Sequence, residues 1–189
     1  IRVVHVTHGI RPEAGEDADY VRELCDRAGL PFLRVDVNVP KMAREEGLSE
    51  EEAGRKARYH AFGEAAETWQ RESSAVNPGG RIKIALAHHM GDRAETLLFH
   101  LFRGSGLKGL GSIPPTREAE EGYGIIRPLL CLEREEIEGY LAEKGVSYCQ
   151  DATNLGDTYA RNRIRHHVLP YAEREICRGA VRHLGEAAE

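Results

Sequence analysis

The segment Ile82-Lys83-Ile84-Ala85-Leu86-Ala87, followed directly by His88-His89-Met90-Gly91-Asp92-Arg93-Ala94-Glu95-Thr96, decides the fold of this chain. Its apolar first half predicts a buried strand, and its second half predicts the start of a helix. In parallel α/β sheets, ligands bind at the carboxyl ends of the strands. The two histidines fall at that end, and the acids at positions 92 and 95 are expected on one helical face.

The same alternation of strand and helix precedes this segment. Residues 2–6 and 32–37 predict strands, and residues 16–28 and 49–69 predict helices, the second opened by a Ser49-x-x-Glu52 capping box. This order predicts an α/β fold with a parallel sheet. A further helix over 92–102 is expected to turn its apolar side chains inward, namely Ala94, Leu97, Leu98, Leu101 and Phe102.

The alternation of strand and helix patterns ends after residue 103. A polar loop over 114–124 is expected, then a short strand at 125–126 and a helix over 133–144, and a basic helical region begins near Arg161. We therefore predict an α/β domain over 1–130 and a mostly helical extension over 131–189. The extension carries a basic strip of Arg161, Arg163, Arg165, Arg174, Arg178 and Arg182.

Composition limits the classes of protein that this chain can belong to. With 189 residues, 41% hydrophobic and 30% charged, it has the composition of a globular domain. A net charge of −5 disfavours a bulk nucleic-acid binder, although a local basic strip can still bind phosphate. The cysteines Cys25, Cys131, Cys149 and Cys177 form no C-x-x-C pair, which predicts reduced thiols in a cytoplasmic protein and disfavours zinc ribbons and iron–sulfur clusters. No apolar run reaches the roughly 20 residues of a membrane span, and no membrane partner is expected.

The residues of the opening segment allow more than one chemistry. His88, His89, Asp92 and Glu95 are residue types that ligate metals, but their spacing matches no established metal motif. The acids could instead bind an amine. Asp92 could also serve only as the N-cap of the helix.

Three other polar clusters are candidates for ligand or phosphate binding. Gly104-Ser105-Gly106-Leu107-Lys108-Gly109 matches G-x-G-x-x-G but follows a helix, so it predicts a helix C-cap or, with Arg103, a loop that closes on phosphate, rather than a dinucleotide site. His8-Gly9-Ile10-Arg11 follows the first strand at the edge where ligands bind. Arg161 and Arg165, beyond Asp151-Ala152-Thr153-Asn154, share one helical face suited to phosphate, or form a solvated face.

Taken together, and in this order, these segments resemble the tRNA(Ile)-lysidine synthases of the PP-loop ATP pyrophosphatases. The resemblance rests on His8-Gly9-x-Arg11, Ala87-His88-His89-x-x-Asp92-x-x-Glu95-Thr96, Arg103-Gly104-Ser105-Gly106-Leu107, Arg127-Pro128-Leu129, Asp151-x-Thr153-Asn154 and Arg161-Asn162-x-Ile164-Arg165. It implies a doubly wound parallel sheet of the adenine nucleotide alpha hydrolase type, which is Rossmann-like, with a helical carboxy-terminal extension.

The resemblance also implies an activity. Enzymes of this family use ATP, with Mg²⁺, to adenylate the C2 oxygen of the wobble cytidine in a tRNA(Ile) with a CAU anticodon, and L-lysine then displaces AMP. By resemblance, Asp92 and Glu95 hold lysine, and His89, Asp92 and Arg103 are catalytic. ATP would contact His8, Gly9, Arg11, Arg103, Gly104 and Gly106, and Arg161, Asn162 and Arg165 would contact tRNA or phosphate. No resident metal is implied, and a homodimer is left open.

The sequence departs from the family at its beginning. The S-G-G-x-D-S loop that binds the pyrophosphate part of ATP does not occur in the chain, and Thr7 and Arg93 stand where an acid or Asn and a Gln are common. We expect a preceding segment of the natural protein to carry the first strand and this loop, and a degenerate, non-catalytic relative is the alternative. Other hypotheses are a PP-loop tRNA thiolase, a metal-dependent hydrolase built on His88, His89, Asp92 and Glu95, and an RNA-binding module.

Overall fold

The computed structural model describes residues 1–10, 14–74, 79–106, 111–119, 122–149, 156–157 and 159–189. These residues group into two compact units. The first comprises Ile1–Ile84 with Glu120–Tyr123, and the second Ala85–Ala119 with Gly124–Glu189. The predicted boundary at residue 130, between the α/β domain and the helical extension, was drawn from sequence composition and not from contacts. It stays a prediction.

The first unit is built on a parallel strand–helix–strand element. Strand β1 (Val3–Thr7) pairs in parallel with β2 (Phe32–Asp36), with Val3 opposite Phe32 and Thr7 opposite Asp36. Helix α1 (Ala14–Ala28) makes the connection and buries Ala18 and Cys25. This confirms the parallel pairing that the alternation of strand and helix predicts, because parallel neighbours need a crossover of this kind.

Two further helices complete the first unit. Helix α2 (Val39–Glu46) is an element that the sequence patterns above did not predict, and it begins where the Asn38 side chain accepts a hydrogen bond from Lys41 N (2.9 Å). Helix α3 (Glu50–Ser74) opens with the predicted capping box, since Ser49 Oγ accepts from Glu52 N (3.2 Å) and Glu52 Oε2 accepts from Ser49 N (3.0 Å). The two helices share a buried cluster of Val39, Ala43, Ala53 and Ala57.

The second sheet contains a strand that the sequence patterns missed. Strand β3 (Lys83–Ala85) belongs to a sheet of order β3-β5-β4, in which β4 (Thr116–Glu118) and β5 (Gly124–Ile126) pair antiparallel. The expected loop over 114–124 was therefore wrong at β4. This strand is polar and exposed, so it carries no hydrophobic pattern, and its backbone pairing alone makes it a strand.

Helices form most of the second unit. They are α4 (Met90–Phe102), α5 (Arg134–Glu143), α6 (Ala160–Arg163), α7 (Leu169–Tyr171) and α8 (Ala180–Ala187), with wider π-helical turns at Ile164–Val168 and Ala172–Ile176. The predicted helix over 133–144 and the helical basic region are confirmed. Among the described residues, none of the helices combines the length and hydropathy that a bilayer crossing requires.

The core of the second unit lies along α4. Ala94, Ile164 and Leu169 are buried together, and Leu98, Phe99, Val181 and Leu184 pack against them. The expectation that Leu101 and Phe102 also point inward was wrong, because their exposed fractions are 45% and 66%. The apolar face of α4 is covered along most of the helix but not over its last turn.

Candidate functional site

The start of α4 shapes the candidate site in the second unit. The N-cap residue is His89 and not Asp92, the alternative considered above, and its Nδ1 accepts a hydrogen bond from Gly91 N (3.1 Å). Asp92 stands three residues later and accepts from His89 N through Oδ2 (3.0 Å), which completes a capping box. A Cβ on residue 91 would lie 2.8 Å from His89 Cε1, so glycine is required for the ring to fold back over this turn.

One turn further along α4, Glu95 forms a buried ion pair with the basic helical region. Arg165 donates from Nε to Glu95 Oε1 (2.6 Å) and from Nη2 to Oε2 (2.8 Å), which is the bidentate geometry of a strong charge-assisted pair. The hydrogen bond to Glu95 is the main cause of the raised pKa of Arg165. Arg165 is therefore fixed in orientation by an acid that is only 3% exposed.

Asp92 differs from Glu95 in its solvent exposure and in its contacts. Its side chain is 23% exposed, and Oδ1 lies 3.5 Å from Arg165 Nη2. The same carboxylate has His89 Nε2 at 3.5 Å from Oδ2. The structure thus brings together the sequence-predicted His89, Asp92, Glu95 and Arg165, with Asp92 open to solvent and Glu95 enclosed.

Arg103 and Arg161 meet over one aromatic ring. Their guanidinium carbons lie 5.1 and 5.7 Å from the centroid of the Phe99 ring. Arg161 also donates from Nη2 to Thr96 Oγ1 (3.3 Å). Within the described part of the chain, neither arginine has a carboxylate within 4.0 Å. Two guanidinium groups without acidic partners on one side of α4 suit an anion.

Asn162 lies between these arginines in sequence but has a different environment. It is buried, and its Nδ2 donates to Gly156 O (2.7 Å). The next residue, Arg163, donates from Nη1 to Asp157 O (2.8 Å). These contacts attach the preceding loop to the helix. The Asp151–Asn154 motif lies outside the described residues.

Helix α5 contributes polar residues that sequence reasoning missed. Met90 N donates to Leu132 O (2.9 Å), which places the start of α5 beside the start of α4. Arg134 donates from Nε to Glu138 Oε1 (2.7 Å), and this bond is the main cause of the lowered pKa of Glu138, with Tyr148 also contributing a hydrogen bond. The i, i+4 spacing of Arg134 and Glu138 on a predicted helix was the signal that could have identified them.

The loop after β1, in the first unit, carries a separate group of sequence-predicted residues. Two features favour glycine at position 9. Its φ of +63° is a conformation that other residues rarely adopt, and a Cβ there would lie only 3.1 Å from Val37 O. His8 packs against Gly54 of α3. Thr7 is buried at the end of β1, and its Oγ1 has no hydrogen-bond partner within the part of the chain that the structure describes. Arg11 lies outside that part.

The glycine-rich segment after α4 is a helix C-cap where it is described. Gly104 has φ +74°, Gly104 N donates to Leu101 O (3.0 Å) and Ser105 N donates to His100 O (3.0 Å). These are the paired bonds of a Schellman motif, with glycine in the left-handed position. Gly106 follows, and residues 107–110 lie outside the described residues, so the phosphate-binding interpretation of this loop stays a prediction.

The metal-site alternative has no ligand set in this geometry. Among the described residues, no group of three or more His, Cys, Asp and Glu side chains is arranged to hold a metal ion. Asp92 and Glu95 instead contact the cationic Arg165. A hydrolase built on His88, His89, Asp92 and Glu95 would need a different arrangement of these side chains.

Curated relatives share most of this chain. It is 46% identical over 172 residues to the tRNA(Ile)-lysidine synthase of Caldanaerobacter subterraneus subsp. tengcongensis, covering 90% of this chain and 34% of that protein. It is 42% identical over 190 residues to the tRNA(Ile)-lysidine synthase of Solibacter usitatus, covering 100% of this chain and 39% of that protein. The chain thus spans between a third and two fifths of the length of these relatives.

A solved structure has the same fold at much lower sequence identity. The U34-tRNA thiolase NcsA from Methanococcus maripaludis, with its [4Fe-4S] cluster, matches with a TM-score of 0.69 at 12% identity, covering 98% of this chain and 60% of that one. At this identity the match supports the α/β fold of the adenine nucleotide alpha hydrolase type. The family model described as the PP-loop domain matches residues 1–172, and the chain therefore belongs to the PP-loop domain family.

Proposed function

We propose that the whole protein containing this chain is a tRNA(Ile)-lysidine synthase, which uses ATP to join L-lysine to C2 of the wobble cytidine in a tRNA(Ile) with a CAU anticodon. The observation that carries the proposal is the start of α4. There an accessible carboxylate, Asp92, lies beside an arginine that the buried Glu95 holds in place. The similarity to proteins named tRNA(Ile)-lysidine synthase supports it.

The proposed reaction has two steps. First, the C2 oxygen of the cytidine attacks the α-phosphorus of ATP, and pyrophosphate leaves. Then the lysine amine forms the C2–N bond while the C2–O bond breaks, AMP leaves, and the amine loses a proton. We propose that the His89–Asp92 pair accepts this proton. The His89 Nε2 and Asp92 Oδ2 atoms lie 3.5 Å apart.

We propose that the phosphate groups of the substrates bind on the side of α4 that carries Arg103 and Arg161. Arg103 and Arg161 flank Phe99 and have no carboxylate partner among the described residues, which supports contacts to phosphate and to the charge that develops on it. Arg165 and Asn162 belong to the same basic region, for which we propose tRNA as the partner. Lysine would lie next to Asp92 and Glu95.

ATP is the proposed nucleotide substrate. The buried Thr7 hydroxyl and the His8–Gly9 turn stand at the carboxyl end of β1, the edge of an α/β sheet where nucleotides bind, and Arg11, Gly104 and Gly106 complete the proposed set. Mg²⁺ would accompany the phosphates, since it is usually held by few carboxylates together with phosphate oxygens and water. The cytoplasm is the proposed compartment, and a homodimer stays an open prediction.

The test measures product rather than ATP turnover alone. The whole protein is incubated with ATP, L-lysine and a tRNA(Ile) transcript bearing CAU, and the digested tRNA is analysed by mass spectrometry for a lysine-modified cytidine. We expect AMP release that depends on both lysine and tRNA, and no product with a GAU anticodon. A sulfur-containing product would favour the thiolase alternative, and the absence of any modified cytidine would overturn the proposal.

A further inference from the structure

We propose that Arg55 and Arg58 of α3 form a phosphate-binding site beside the carboxyl end of β1. The inference rests on the proposed function, because ATP and tRNA are the phosphate-bearing substrates named there. It goes beyond that function by assigning a ligand to two arginines of the first unit that none of the sequence motifs above includes.

Arg58 has no acidic partner in the part of the chain that the structure describes. The positions three and four residues away from it along α3, where an ion-pair partner would stand, are Gly54, Arg55, Ala61 and Phe62. No carboxylate of the described residues lies within 4.0 Å of its guanidinium. Arg71 shows the usual arrangement in the same helix, since it pairs with Glu67 at 3.2 Å.

Arg55 adds a second cation three residues before Arg58. Its guanidinium carbon lies 4.7 Å from the centroid of the Tyr59 ring. Glu51 stands four residues earlier, at the spacing of an ion pair, but within the described ranges Arg55 has no carboxylate within 4.0 Å. The aromatic contact orients this guanidinium without neutralising its charge.

The surroundings of Arg58 disfavour its positive charge. Loss of water around the guanidinium is the main cause that lowers the pKa of Arg58, and the charge of Arg55 lowers it further, while Tyr59 acts in the opposite direction. Both arginines are exposed, so a ligand can reach them. A bound anion would offset the repulsion between the two cations.

The position of this turn of α3 is the edge of the sheet at which ligands bind. A Cβ on Gly54 would lie 3.6 Å from His8 Cε1, so the turn packs directly on the residue that follows β1. Arg58 stands four residues after Gly54 and therefore on the same side of the helix. In parallel α/β proteins, the carboxyl ends of the strands are where ligands bind.

A phosphate fits two neighbouring guanidinium groups better than a carboxylate does. One planar guanidinium already satisfies a carboxylate with two parallel hydrogen bonds, as Arg165 does with Glu95. A phosphate of ATP or of the tRNA backbone carries more oxygen atoms and can accept from two guanidinium groups at once. The pair therefore matches the chemistry that both substrates share.

The first experiment compares ATP with adenosine on the whole protein. Adenosine keeps the base and the ribose but has no phosphate, so it is the internal control. Dissociation constants are measured by calorimetry for wild-type protein and for Arg58→Gln. Loss of a charge-assisted hydrogen bond predicts ATP binding weaker by about 10- to 100-fold in the variant, whereas adenosine binding should not change.

A second experiment tests the tRNA backbone as the source of the phosphate. The affinity for tRNA is measured over a series of salt concentrations for the same two proteins. If Arg58 contacts a backbone phosphate, Arg58→Gln weakens tRNA binding, reduces the slope of log affinity against log salt by about one and leaves ATP binding unchanged. Either result supports the phosphate site, and the affected ligand identifies the source.

Three further variants control for charge and for folding. Arg71→Gln removes the paired arginine of the same helix and should change neither ligand. Arg58→Lys keeps the charge without the planar fork and should retain part of the affinity. Arg55→Gln repeats the test if Arg58→Gln does not fold. Unchanged binding of both ATP and tRNA, or equal weakening of ATP and adenosine, would overturn the inference.

The outcome separates this inference from the proposed function, because the binding measurements need no turnover. If wild-type protein forms no lysine-modified cytidine but Arg58→Gln loses affinity for ATP and not for adenosine, only the proposed function fails. If wild-type protein forms the modified cytidine and the variant binds both substrates as tightly as wild type, only the phosphate site is wrong.

Discussion

Helices α3 and α4 begin in the same way, but the charged side chains of α3 are exposed and two of those of α4 are buried. Each opens with a capping box, Ser49–Glu52 in α3 and His89–Asp92 in α4. Along α3 the buried positions are mostly alanine and the charged side chains are exposed. Along α4, by contrast, Arg93 and Glu95 are buried, with 4% and 3% of their surface exposed.

The difference lies in the buried charges that each helix has to accommodate. A buried charge destabilises a protein unless it is paired, and α4 pairs each of its own. Glu95 is bound by Arg165, while Arg93 donates to Gly185 O (3.4 Å) and to Glu189 Oε1 (3.1 Å). Alanines would have packed this helix without such requirements, as they do in α3. The buried charges of α4 therefore depend on partners from distant parts of the sequence.

The largest effect on stability is expected from Glu95→Ala. This change leaves Arg165 partly buried without its partner, and it should lower the free energy of unfolding by about 3–5 kcal/mol. The matched change in α3 is Glu67→Ala, which removes an exposed i, i+4 pair with Arg71 and should cost less than about 0.5 kcal/mol. Urea unfolding of both variants measures the difference. Similar losses in the two helices would contradict the contrast drawn above.

The next prediction separates capping from function with an acid-to-amide change in each box. Asp92→Asn and Glu52→Gln both keep an oxygen that can accept the capping hydrogen bond, so both helices should remain stable. Asp92→Asn should nevertheless lower lysidine formation by about 100-fold, because it removes the charge that faces the substrate. Glu52→Gln should leave the rate unchanged. Equal rates in the two variants would show that the carboxylate of Asp92 only caps α4.

A smaller effect is expected at the contact between α4 and α8. A Cβ on residue 185 would lie 2.6 Å from Met90 Cγ, so Gly185→Ala should destabilise the protein by about 1–3 kcal/mol through overpacking. In α3, a Cβ on Gly54 would meet its nearest atom at 3.6 Å, an ordinary contact. Gly54→Ala should therefore stabilise by up to about 1 kcal/mol, since alanine is the better helix former. Thermal unfolding should shift in opposite directions for the two variants.

The smallest effect concerns the pH dependence of the α3 cap. Hydrogen bonds from the Ser49 hydroxyl and backbone lower the pKa of Glu52 from its ordinary value of 4.5. A carboxyl with a lowered pKa in the folded state stabilises above the unfolded value and loses that contribution as pH falls through the folded value. Wild-type protein should therefore lose slightly more stability below pH 4.5 than Glu52→Gln does. Urea midpoints across the acid range measure this, and parallel curves would contradict it.

Much of the fold follows from local patterns. Alternating strands and helices predicted the parallel pairing of β1 with β2, and Ser49-x-x-Glu52 predicted the start of α3, because these features depend on neighbours in sequence. The polar strand β4 was missed because it is held by pairing with β5 rather than by an apolar pattern. Leu101 and Phe102 were placed inward because helical periodicity cannot show that packing ends before the last turn of α4.

For the site, the sequence by itself determined that the chain belongs to the PP-loop domain family, and it predicted which residues carry chemistry. The segments His88–Thr96 and Arg161–Arg165 have a distinctive order, and order is a property of the chain. Only the tertiary structure decided that Arg165 meets Glu95 across 70 residues, that Asp92 stays accessible and that Arg103 and Arg161 share Phe99. Burial and pairing depend on which side chains the fold brings together, and two acids of equal charge, Asp92 and Glu95, therefore acquire different environments.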